Sequence, residues 1–170
     1  MTDAELRLDL LDKVLARNVA WIRSADTKAT LLLAVNTAML GVLAALVPAT
    51  NTWTAYSTLS AAIATIALLT SGGFLVAASF PRLGGPRGSL VYFEGIASHD
   101  INEYVTKMVS AESADILADF AKQCHRNAEI AKAKFKHIRS ATICVLLSVA
   151  PWLVAISLLY HARLAVRFPG

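Results

Sequence analysis

Charge is scarce in this sequence, and it is missing altogether from three long stretches. Charged residues make up 16% of the 170 positions, against roughly 25% in soluble globular domains. Hydrophobic residues make up 56%, and the mean hydropathy is +0.54. Cysteine is nearly absent: Cys124 lies in a charged segment and Cys144 in an apolar one. Two cysteines so placed give neither a disulfide framework nor a metal-type spacing. The four histidines, His99, His125, His137 and His161, form no HExxH pattern. A Walker motif and a Ser nucleophile elbow are also missing. No enzyme, metal site or cofactor is therefore expected. Nucleic-acid binding is not expected either, because the basic residues gather where membrane topology already calls for them.

Proline and glycine are missing from the first 40 residues. That segment begins with Thr2-Asp3-Ala4-Glu5, which reads as a capping box. The positions Leu8, Leu11, Leu15, Asn18, Ile22, Ala25 and Ala29 then recur at spacings of three and four. This is a heptad-like seam, interrupted by the polar Asn18. Asn18 either fixes register within the seam or reaches solvent at its edge. After Arg23-Ser24-Ala25-Asp26-Thr27-Lys28 comes an uncharged run of 19 residues, Ala29 to Val47. As a helix it is about 28 Å long, close to a bilayer's hydrocarbon thickness. The first 28 residues hold five acidic groups, so the run reads as a retained anchor rather than a cleaved signal.

Two further uncharged runs, Ser57 to Phe80 and Ala141 to Tyr160, are also long enough to span. The expected fold is an all-α membrane protein with three transmembrane helices. Extensions of the first and last long helices form a cytosolic helical bundle. A soluble bundle of three apolar helices is the alternative. The expected divisions are a cytosolic amphipathic helix over 1–28, spans over 29–48, 57–80 and 141–160, and a cytosolic helical region over 81–140. Arg17, Arg23 and Lys28 precede the first span, and Arg82 and Arg87 follow the second. Lys132, Lys134, Lys136 and Arg139 precede the third, whereas the loop Pro48 to Tyr56 has no basic residue. The positive-inside rule then puts the N-terminus in the cytosol. Arg163 and Arg167 in the tail weaken the matching placement of the C-terminus outside.

Polar and small residues inside the spans are few and therefore informative. Asn36 and Thr37 lie midway along the first span. An amide there acts either as helix–helix glue or as pore lining. Gly72 and Gly73 allow close packing of the second span, and Pro151 is expected to kink or loosen the third. Pro81 to Ser89 is a Gly/Pro-rich breaker, and its two arginines are candidates for holding a phosphate. Ser98 is expected to cap a short helix running to about Val109. A long helix starts near Ser110 or Ser113. On one face it carries Leu117, Ala121, Cys124, Ala128, Ala131, Phe135 and Ile138, suited to packing on the N-terminal helix. On another it carries Asp119, Gln123, Asn127 and Lys134, a line that is either solvated or faces a ligand. Both long helices run unbroken from charged sequence into apolar sequence. That is a mechanical design for coupling one part to the other.

Three segments in order carry a family resemblance. They are Ala25-Asp26-Thr27-Lys28-Ala29, Leu90-Val91-Tyr92-Phe93-Glu94-Gly95-Ile96, and Asp119-Phe120-Ala121-Lys122-Gln123 through Asn127, Ile130, Lys134 and Phe135. With them the chain resembles the transmembrane effectors of bacterial Pycsar antiphage systems, from about Leu15 to Leu159. The family pattern has Gly-Asp after the aromatic pair. This chain has Glu94-Gly95, so no acidic role is carried over to that position. The resemblance implies a multi-pass inner-membrane protein that answers cyclic CMP or cyclic UMP made by a partner pyrimidine cyclase. It then disrupts the membrane in abortive infection. In such a site Arg23 or Lys28 would take the phosphate, while Gln123 and Asn127 would read the base. Tyr92 or Phe93 would stack on the base. Asp26 would accept from the ribose or hold Lys28 or Lys134. A plain interfacial salt-bridge network is the alternative for Asp26 and Lys28. Three spans are too few to enclose a wide pore, so a homo-oligomer in membrane lipid is expected. A SLATT-like pore gated by another signal, or a scaffold without a pore, are the other readings.

Overall fold

The computed structural model describes residues 3–47, 53–81, 84–86 and 88–167. The described residues are 88% helical and contain no strand. Among the described residues five helices follow in order: α1 (Asp3–Leu46), α2 (Ala55–Ser79), α3 (Phe93–Ala97), α4 (Ile101–Ser110) and α5 (Ser113–Arg167). The expected capping box at Thr2 and the two breaker arginines, Arg82 and Arg87, lie outside the described residues. Three helices, α1, α2 and α5, are long and apolar enough to cross a membrane. The protein is thus an all-α membrane protein.

The chain divides into two compact units, and α1 and α5 each contribute to both. The first unit takes residues 1–25 and 80–134. Within it the α1 seam is the inward face: Leu8, Leu11, Leu15 and Ile22 are half-buried, and Asn18 and Ala25 are buried. Asn18 is 4% exposed, and its Nδ2 donates to the Cys124 carbonyl at 2.9 Å. The Cys124 thiol donates in turn to the Leu11 carbonyl at 3.4 Å. The polar seam residue therefore fixes the register of α1 against α5 rather than reaching solvent. Burial, and behind it the charge of Asp12, raises the Cys124 thiol pKa above its ordinary value.

The second unit takes residues 26–79 and 135–170. Its core is Met39, Leu43, Ala64, Leu68, Val145 and Ala155, flanked by Trp152 and Ile156. Leu31, Val35, Leu59, Ile66, Leu69, Leu146, Leu147 and Leu153 point outward and are exposed. A large apolar exterior around a core with buried serines suits hydrocarbon as the solvent. The three helices are tied by side chains as well as packing. The Ser71 hydroxyl donates to the Ala141 carbonyl at 3.1 Å, and Trp152 Nε1 donates to the Met39 carbonyl at 2.9 Å.

One local expectation is corrected. The helix cap is Asp100, whose carboxylate accepts from the Asn102 amide at 3.0 Å; Ser98 instead closes α3, its hydroxyl donating back to Gly95. Pro151 sits inside α5 without ending it.

Candidate ligand site and membrane core

The breaker segment between α2 and α3 is pinned from several sides. Ser89 is the pivot. Its hydroxyl donates to Asp119 Oδ2 at 2.9 Å and accepts from the amides of Val91 and Tyr92 at 3.2 and 2.8 Å. Asp119 Oδ2 also accepts from the Leu90 amide at 2.8 Å. A single carboxylate oxygen on α5 thus closes the turn that launches α3. The Tyr104 hydroxyl of α4 donates to the Leu90 carbonyl at 3.1 Å. Arg126 of α5 donates through Nε to the Gly84 carbonyl at 2.6 Å and pairs with Glu129 at 3.2 Å. Glu94 accepts from the Gly85 amide at 3.3 Å.

Two glycines are required by contact. A Cβ on Gly85 would run into the Tyr92 ring, and one on Gly95 would run into the Ser89 backbone. Gly88 holds φ of +70°, which side chains rarely adopt. The Tyr92 ring is buried, and its centroid lies 4.6 Å from that of Phe93, which is exposed. Burial raises the Tyr92 pKa, with Glu94 adding to the rise and Arg126 opposing it. Two clefts border the segment. One of about 310 Å³ is lined by Gly84, Gly85, Gly88, Glu94 and Ser98. The other, about 220 Å³, is lined by Leu90, Asp115, Ile116, Asp119 and Lys122. The first is at the lower limit of small-molecule sites and the second falls below it.

The expected ligand residues divide between the units. Arg23, Tyr92, Phe93, Gln123, Asn127 and Lys134 belong to the first, and Asp26 and Lys28 to the second. The line Asp119, Gln123, Asn127 and Lys134 turns inward: the first three are half-buried and Lys134 is 8% exposed. Gln123 Oε1 is buried without a hydrogen-bond partner. Arg23, Asp26 and Lys28 are exposed. The Lys28 ammonium stands over the Phe135 ring, 5.3 Å from its centroid, a cation–π contact at the start of the apolar run.

Among the span residues, Asn36 is 3% exposed, and its Oδ1 has no partner. Its Nδ2 lies 3.5 Å from where a Cβ on Gly72 would stand, an ordinary contact distance, so the amide packs beside Gly72. Thr37 is exposed, and Gly73 faces open space. Sequence reasoning missed Ser89, Tyr104 and Arg126. Ser89 alone had a local signal, a serine three residues before the aromatic Tyr92 that leads into α3. The partners of the other two are remote in sequence.

The PycTM model, the Pycsar effector protein domain, matches residues 10–161. No curated protein and no solved structure is significantly similar to the chain.

Proposed function

The chain belongs to the Pycsar effector protein domain family and is a transmembrane effector of antiphage defence; from that premise we propose that a cyclic pyrimidine mononucleotide, cyclic CMP or cyclic UMP, switches it from a closed to a membrane-disrupting state. The family match across residues 10–161 carries this reading. The signal comes from a partner cyclase, and the outcome is abortive infection. The protein sits in the bacterial inner membrane with its N-terminus in the cytosol, in keeping with the basic residues that border the spans. The first unit receives the nucleotide. Gln123 and Asn127 read the base, and the orphaned Gln123 oxygen supports this as an acceptor awaiting a donor. Phe93 stacks on the base, while Tyr92 packs beneath it and holds the segment. Arg23 takes the phosphate, and Lys134 supplies a second cation. Asp26 and Lys28, the first charged turn of the second unit, respond as the helices shift. Helices α1 and α5 belong to both units, which supports mechanical coupling along their length.

The nucleotide favours the active assembly only by binding it more tightly than the closed form. Moving the balance from 1:99 to 99:1 needs roughly a 10⁴-fold preference. A homo-oligomer, with several sites acting together, supplies it. Thermal unfolding of the detergent-solubilised protein tests the binding step. At a nucleotide concentration of 100 times Kd the stabilisation is about 2.7 kcal/mol. One pyrimidine cyclic nucleotide should raise Tm while cyclic AMP leaves it unchanged. The Gln123→Leu variant should lose the rise. No shift with either cyclic CMP or cyclic UMP refutes the proposal.

A further inference from the structure

We propose that the interior of the second unit is the closed form of a narrow path for monovalent cations, with the Asn36 carboxamide oxygen as a cation ligand and the Met39–Leu43–Leu68 layer as the gate. The inference rests on the gated-effector reading above and adds what passes and where it is stopped. Asn36 lies eight residues beyond Lys28, about 12 Å along α1. Its Oδ1 is buried and has no donor. Buried hydroxyls elsewhere in the second unit are left as acceptors rather than donors. The Ser71 hydroxyl spends its proton on the Ala141 carbonyl, and the Ser148 hydroxyl spends its proton on the Val145 carbonyl at 2.7 Å. Both serines are fully buried. Their remaining lone pairs, like the Asn36 oxygen, suit a cation or a donating water. No charged side chain occurs in 29–46, 55–79 or 141–160, so nothing in these stretches attracts an anion.

One turn beyond Asn36, the lining changes to Met39, Leu43, Ala64, Leu68, Val145 and Ala155. Trp152, tied to the Met39 carbonyl, packs against this layer. An apolar constriction next to acceptor oxygens is the arrangement in which a path closes by expelling water. The Asn36 amide explains itself in the same terms. Leucine would fill such a site with no orphaned oxygen. A helix-gluing amide would be expected to use its carbonyl, and this one does not. Separation of the helices would hydrate the oxygen and relieve its isolation.

The test uses full-length protein in liposomes under a KCl gradient, with cyclic CMP or cyclic UMP added. Wild-type current should reverse near the K⁺ equilibrium potential. Asn36→Asp should move the reversal further toward it. Asn36→Leu should lower nucleotide-dependent conductance about tenfold or more while melting at or above the wild-type temperature. Leu68→Ser, and independently Met39→Ser, should conduct without nucleotide. Equal permeability to K⁺ and Cl⁻ overturns the proposal, as does an Asn36→Leu conductance matching wild type in size and selectivity. In either case the gated-effector reading still stands. A wild-type protein that binds nucleotide and passes no current overturns both.

Discussion

Asp119→Ala should release the turn that presents Phe93. One oxygen of Asp119 accepts from the Ser89 hydroxyl and the Leu90 amide at 2.9 and 2.8 Å. Hydrogen bonds to a charged group are worth about 1.5–3 kcal/mol each, and an unmade bond at a buried donor costs its desolvation. Asp119 and Leu90 are half-buried, so water recovers part of the loss. A net cost of about 2 kcal/mol to the local structure is the working figure. Ser89, only 2% exposed, would also lose its orientation, and with it the two bonds to the Val91 and Tyr92 amides. Hydrogen exchange of the detergent-solubilised protein reads this directly. About 2 kcal/mol corresponds to roughly 30-fold faster exchange at Leu90, Val91 and Tyr92. Asp119→Asn keeps an acceptor without its charge and should fall between the two, since charge-assisted bonds are roughly twice as strong as neutral ones. Ser89→Ala combined with Asp119→Ala should cost less than the two changes summed, because they remove one network. Exchange in Asp119→Ala within about threefold of wild type at all three amides would refute the argument.

Other outcomes follow from the same geometry. Gly95→Ala should destabilise the first unit by about 1–3 kcal/mol, because the new methyl meets the Ser89 backbone, whereas Gly73→Ala, facing open space, should melt at or slightly above wild type. Asn18→Asp should lower Tm more than Asn18→Ala, since a carboxylate turned to the Cys124 carbonyl sets acceptor against acceptor; Asn18→Ala should cost about 1 kcal/mol by thermal unfolding. The raised Cys124 pKa makes the thiol alkylate more slowly at pH 8 in the folded protein than in the denatured chain. The same shift gives a sign for stability. The contribution is present below the ordinary thiol pKa of 9.0 and is lost as pH climbs through the raised value, so Cys124→Ala should flatten the stability profile above pH 9.0.

Much of the architecture is written locally and is therefore legible in the chain. Three uncharged runs need no tertiary knowledge to be read as spans, because hydrocarbon imposes length and composition alone. The α1 seam was readable because its period of three and four directly marks the buried face, down to Asn18 as the polar interruption. The start of α5 at Ser113 was readable as well. The pinned turn was not. Ser89 and Asp119 lie 30 positions apart and Arg126 and Gly84 lie 42 apart, and no periodicity links them. The need for glycine at 85 and 95 comes from the Tyr92 ring and the Ser89 backbone, which meet them only after folding. Asp100 displaced Ser98 as the helix cap because Ser98 has a nearer use, closing α3 on the Gly95 carbonyl. The polar line on α5 looked suited to water from its spacing, and its partial burial comes from packing that spacing does not carry.

Gating of this protein's action on the membrane by a pyrimidine nucleotide is open to test in living cells. Membrane potential in bacteria expressing the full chain, recorded before and after co-induction of a pyrimidine cyclase, tests it most directly. Depolarisation should require both proteins and should disappear in Gln123→Leu at wild-type expression. An unchanged potential in the wild type, with the cyclic nucleotide verified at high concentration in the same cells, would contradict it.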